Sequence, residues 1–87
     1  MYEPVGSAPA GKGVDIIAFA PALRHLYAPG GEAASLTVIA AATDGALRLL
    51  RTEPAAADAH CVAADDAGHA WVCDPAHGRL LVFRDAP

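Results

Sequence analysis

Four side chains of the kinds that hold divalent cations stand in this sequence: Glu32, His60, Asp74 and His77. Imidazole and carboxylate together suit zinc, manganese or nickel. Their spacing adds nothing to their types, because Asp74-x-x-His77 matches no ligand pattern. A turn aspartate beside a solvated histidine is the simpler reading. Two cysteines, Cys61 and Cys73, are placed symmetrically about Ala67. If the chain folds back there as a hairpin, they oppose each other across two antiparallel strands. In a non-hydrogen-bonded pair the Cα atoms would lie ~4.5 Å apart, at the short end of the disulfide range. A cross-link would contribute up to roughly 3 kcal/mol by the loop-entropy argument. The alternative is two free thiols acting as small hydrophobes, which a reducing compartment favours. The spacing is neither CxxC nor that of a zinc ribbon. Ser7 and Ser35 are the only serines, and neither lies in a G-x-S-x-G elbow. Pro29-Gly30-Gly31 leads to a strand and not to a helix, so it makes no phosphate-binding loop.

The elements that must position these groups read as strands. Gly, Pro and Asp-Gly punctuate the chain every 8–12 residues, the spacing of many short strands. Alanine runs such as Ala55-Ala56-Ala57 favour helix locally, but no window between breaks is long enough for one. Strands are predicted over residues 15–20, 25–28, 36–42 and 47–52, with a break at Pro29-Gly30-Gly31 and a hairpin turn at Asp44-Gly45. A second series follows at 60–65, 69–73 and 79–84. The two series are related by a shift of 44 residues, which lays His25 on His69, Leu36 on Leu80 and Val38 on Val82 without a gap. A period near 44 is that of a four-stranded propeller blade. His25 and His69 share one slot after a turn, so turn positions explain them better than ligation does. Symmetric pairing would also set Ala63 opposite Trp71 and Phe19 opposite Tyr27, as core pairs between neighbouring blades.

Composition bounds the rest. Twenty-two of the 87 residues are alanine, so the 54% hydrophobic content overstates the core. A chain this short buries only ~60–65% of its unfolded surface. The net charge is −4, and five Arg and one Lys are scattered without a basic stripe, which argues against nucleic acid as a partner. No apolar run approaches the ~18 residues of a membrane span. Residues 1–13 lack an apolar signal-peptide core, so the cytoplasm is the expected compartment.

The segment His60-Cys61-Val62-Ala63-Ala64-Asp65-Asp66-Ala67-Gly68-His69-Ala70-Trp71-Val72-Cys73-Asp74, continuing through Arg79-Leu80-Leu81-Val82-Phe83, resembles a blade of the NHL, YVTN (YncE-like) and SMP-30-type (gluconolactonase) β-propellers. The match is good over 60–84 and weaker over 14–53, where Pro29 and Gly30 depart from the pattern. The resemblance implies an all-β fold of two four-stranded antiparallel blades in permuted order. Residues 2–7 would be an outer strand, 14–53 a full blade, and 60–84 three strands of a second blade, together one unit over 1–87. It further implies one loop-bearing face carrying His60, Asp74, His77 and Glu32 as ligand-binding candidates, with His60, Asp74 and His77 the weaker metal candidates. Lactonase-type members use a Glu/Asp/Asn set around a divalent ion, and this chain has no asparagine. No cofactor and no catalytic residue is therefore assigned.

Two blades cannot close a ring, since propellers have about four to eight. They would also leave apolar faces bare. The expectation is a non-catalytic binding or scaffold module that closes head-to-tail into a ring of its own copies. Each copy would lend its N-terminal strand, through Tyr2, Pro4 and Val5, to a neighbour, and proline is tolerated on such an edge. A small molecule or another protein would be the further partner. A metal-dependent lactonase-like hydrolase, or an inactive fragment of a larger propeller, are the alternatives.

Overall fold

The computed structural model describes residues 3–86. Seven strands follow in chain order: β1 (Ala18–Ala20), β2 (His25–Gly30), β3 (Ser35–Ala41), β4 (Leu47–Pro54), β5 (Val62–Ala64), β6 (His69–Asp74) and β7 (Arg79–Arg84). A short 3-10 turn, Pro75–His77, separates the last two. All pairings are antiparallel between neighbours, giving a four-stranded sheet β1-β2-β3-β4 and a three-stranded sheet β5-β6-β7. The fold is all-β, as the punctuation of the sequence predicts.

The hairpins follow from their turn residues. Asp44 Oδ1 accepts the Ala46 N–H, while Gly45 adopts φ 93°. Asp65 Oδ1 does the same for Ala67 and His69, with Gly68 at φ 87°. Both glycines sit where a side chain would strain the backbone.

Two expectations are corrected. The strand β2 runs through Pro29 and Gly30, and the break falls at Gly31. Gly31 N–H points away from β3, to Gly13 O at 3.2 Å. Pro29 shares that direction, so its missing donor falls beyond the last β1 pair, Ala18↔Tyr27, where no ladder bond is lost. Gly30 is required because Gly11 and Lys12 press against it; a Cβ there would lie 2.8 Å from their backbone. Second, Phe19 pairs with Leu26 and not with Tyr27. The loop 21–24 has an even number of residues, so the register is one step off the symmetric one. A one-residue step exchanges faces, and it sends Tyr27 inward and Phe19 outward. The pair Ala63↔Trp71 forms as expected, but Trp71 too points outward, so neither aromatic builds the core between the sheets.

The core lies where the sheets meet. Ala20, Tyr27, Leu36 and Val38 of the first sheet pack on Ala70 and Val72 of the second, with Ala56 and Ala59 of the connection between them. Alanine at four of these positions lets β5 approach β1 and β2 closely. A bulge opposite Val38 and Ile39 leaves Leu50 as the extra residue of β4 and turns it toward this core.

Within one chain residues 3–7, including Pro4 and Val5, pair with no strand, and Tyr2 lies outside the described residues. The segment runs over the outer face of the first sheet. Val5 meets Gly45 at one end, and Gly11 meets Ser35 at the other.

Candidate functional site

The β2–β3 turn and the β4–β5 connection bring Glu32 and His60 to one shallow cavity of about 220 Å³, which Asp15, Asp58, Gly13 and Gly31 also line. Asp58 N–H donates to Gly31 O at 3.0 Å and pins the connection there. His60 Nδ1 lies 2.7 Å from Asp58 O. That backbone acceptor favours the protonated ring and raises the His60 pKa above its ordinary value.

Asp74 and His77 belong to a different group. The Asp74 carboxylate is buried and accepts Arg79 Nε at 2.8 Å, with His77 Nδ1 at 3.0 Å. The Arg79 bond, then the His77 bond, outweigh burial and hold the Asp74 pKa below the usual carboxylate value. This group borders an open cavity of about 450 Å³ lined by Cys73, Asp74, Pro75, Gly78, Arg79 and Leu80. Of the four sequence candidates, Glu32 and His60 thus line one cavity, while Asp74 and His77 share a hydrogen bond beside another. Among the described residues no three His, Cys, Asp or Glu side chains are arranged to hold a metal ion.

The cysteines do meet. Cys73 N–H donates to Cys61 O at 3.1 Å, continuing the register of β5 and β6. The pair is therefore of the hydrogen-bonded kind, not the non-hydrogen-bonded kind that symmetry alone suggested. Both are free thiols. The Cys61 N–H does not complete the ladder; it donates to Cys73 Sγ at 3.0 Å, and the His60 N–H donates to the same sulfur at 3.3 Å. Burial alone would raise the Cys73 pKa, but the Cys61 thiol and these two N–H groups offset it and bring it below the ordinary value. Donating to Cys73 raises the pKa of Cys61.

The two histidines of the repeat have different fates. His69 Nδ1 lies 3.0 Å from Asp65 Oδ2, within its own turn. His25 is buried and reaches across the sheets to Asp85, Nδ1 to Oδ2 2.6 Å. Tyr27 OH donates to the same oxygen at 2.6 Å. Arg51 Nη2 and the Ala86 N–H donate to Asp85 Oδ1. Burial would raise the Asp85 pKa, yet the bonds from Tyr27, His25 and Arg51 carry it down to about 2. Burial and the Asp85 carboxylate push the Tyr27 hydroxyl well above its ordinary value. A cavity of about 260 Å³ lies beside this cluster, with Glu53 and Arg84 on its wall.

Sequence reading missed this cluster. Asp85 directly follows the last strand and carries no motif. The one available signal is Tyr27, since a buried tyrosine hydroxyl needs a partner. Chemically the cluster is a clamp. A carboxylate accepts about four hydrogen bonds, and four donors already occupy Asp85.

No family model, curated protein or solved structure matches this chain.

Proposed function

We propose that this protein is a non-catalytic scaffold built from two propeller-type blades, which stacks head-to-tail with copies of itself into a closed ring. One observation carries the reading. The core of the first sheet is Tyr27, Leu36 and Val38, exposed by 1%, 1% and 2%. The residues 44 positions later are Trp71, Leu80 and Val82, exposed by 38%, 59% and 50%. One set of positions is therefore covered in the first sheet and bare in the second.

The converse supports it. Ala70 and Val72, on the covered face of the second sheet, follow Leu26 and Ala28 of the first sheet by the same interval. Leu26 and Ala28 lie on the first sheet's other face, toward the N-terminal segment. The second sheet thus sits on the first by one face and offers its opposite face for a repeat of the same contact. Such a contact is heterologous, and it must close into a ring or grow without limit.

The N-terminal segment fits this arrangement. Within a ring, the β7 edge of one copy would lie beside residues 3–11 of the next. Those residues already run along the outer face of the neighbouring copy's β3 and β4, where a fourth strand of the three-stranded sheet belongs. Pairing there would cover an open edge that otherwise invites aggregation.

The test is absolute mass by light scattering after size exclusion, at several concentrations, for the full chain and for Val82→Asp. A single species of two, three or four chains that falls to a folded monomer in the variant supports the ring. A well-folded wild-type monomer at every concentration overturns it. Open-ended aggregates would mean that the bare face is built for a different chain.

A further inference from the structure

We propose that Cys61 and Cys73 form a thiol–disulfide exchange site, with Cys73 as the attacking sulfur and Cys61 as the resolving one, and a low-molecular-weight disulfide as the oxidant. The site lies on the Trp71 and Leu80 face of the second sheet, which the proposed ring would cover, so the exchange is assayed on Val82→Asp as well as on the full chain.

Three geometric facts assign the roles. The thiols face each other across one hydrogen-bonded step of an antiparallel pair, for which the Cα separation of ~5.5 Å suits a disulfide, while the Cβ atoms, ~5.5 Å apart, must close by about 1 Å as the bond forms. Only one of the sulfurs is served by backbone donors: the N–H groups of Cys61 and His60 converge on Cys73 Sγ at 3.0 and 3.3 Å. Convergent N–H groups stabilise an anion, and the thiolate is the nucleophile of exchange. Finally, Cys73 is one residue from the end of the sheet and lines the open 450 Å³ cavity, beside the Arg79 side chain. A small disulfide can reach the sulfur from that cavity. Arg79 lines that cavity with its Nε held 2.8 Å from the Asp74 carboxylate.

The chemistry balances with the oxidant named. Cys73 thiolate attacks one sulfur of the small disulfide; an S–S bond forms to the protein and one small thiolate leaves. Cys61 loses its proton to solvent and attacks Cys73 Sγ. The Cys61–Cys73 bond forms and the second small thiolate departs. Two protein thiols are oxidised, and one small disulfide is reduced to two thiols.

The experiment exposes the full chain, and Val82→Asp, at pH 7 to oxidised glutathione and follows intact mass. Wild type should lose two hydrogens and carry no adduct. Cys61→Ser should accumulate one glutathione adduct on Cys73. Cys73→Ser should form its adduct on Cys61 at least ~10-fold more slowly. Brief alkylation of wild type with iodoacetamide, read by peptide mapping, makes the same comparison without a substitution. Cys73 should label faster in the folded protein, and the two should label equally in concentrated guanidinium chloride. Equal labelling of the folded chain, faster labelling of Cys61, or a stable wild-type adduct without internal closure would overturn the proposal. Each readout is independent of oligomer mass, so a monomer that performs the exchange would contradict the ring alone.

Discussion

The two sheets carry the same apolar residues at matching positions and meet opposite fates. Tyr27, Leu36 and Val38 are sealed, whereas Trp71, Leu80 and Val82 face outward. The difference is not in residue type, since Leu36 and Leu80, or Val38 and Val82, are identical. It lies in what stands next to each sheet. The Tyr27 face of the first sheet has the second sheet against it, held by Asp85, whereas the Trp71 face of the second is left exposed among the described residues. Burial here is a property of neighbours, and the proposed ring would supply one for the second sheet's bare face.

The strongest way to break this comparison is to release the clamp. Asp85→Ala leaves His25 and Tyr27 buried without their shared acceptor, at about 1–3 kcal/mol for each unsatisfied group. Urea melts should show the whole transition moving to lower denaturant. The same removal at Asp66, an exposed turn residue, should leave the midpoint within the ~0.5 kcal/mol usual for surface changes.

The matched leucines give the next largest contrast. Leu36→Ala should cost roughly 2–4 kcal/mol, as a large-to-small change in a filled core. Leu80→Ala should change the stability of a monomer by less than ~0.5 kcal/mol, while loosening the assembly. Denaturant melts at low and high protein concentration separate the two effects.

Much of this pattern could be read before any coordinates. Turn residues such as Asp44-Gly45 and Asp65 to Gly68 act locally, so hairpins and strand order are legible from them. The spacing that pairs Cys61 with Cys73, and Ala63 with Trp71, is legible for the same reason. What failed depends on distant partners. The register of β1 on β2 turned on one residue of loop length. That step decided whether Tyr27 or Phe19 faced the second sheet. The clamp joins residues 25, 27, 51 and 85, and no local spacing announces such a set. Nor does spacing announce that Arg79 and His77 bond Asp74, or that the Asp58 carbonyl bonds His60.

Glycine positions sharpen the comparison on a smaller scale. Gly68 has φ 87°, and an added Cβ would lie 2.6 Å from Asp85 O. Gly68→Ala should cost about 2 kcal/mol, combining left-handed strain with displacement of the clamp strand. Gly78 has φ 61° with nothing within 4 Å of a Cβ. Gly78→Ala should cost only about 1 kcal/mol. Equal effects would mean that the approach of Asp85 to the second hairpin contributes nothing.

Acid and base should act through the same cluster. The folded Asp85 titrates at about 2, against ~3.9 in an unfolded chain. Its stabilisation is complete above pH ~5 and is lost as pH falls through ~4 toward 2. Asp65 and Asp74, also lowered, act in the same direction. Tyr27 is raised, so an unfolded chain releases its proton first, and stability should fall as pH rises beyond ~10. Thermal melts across pH 2–11 would show both limbs. In Asp85→Ala the acid limb should flatten.

The most direct test of the account uses Trp71, the only tryptophan in the chain. It lies at the centre of the bare face, so its fluorescence reports whether that face is covered. Acrylamide quenching should be weak in the full chain at every concentration at which the ring persists, and strong in Val82→Asp, where the neighbour is lost. Strong quenching at every concentration, with the secondary structure intact, would contradict the claim that a second copy covers the second sheet.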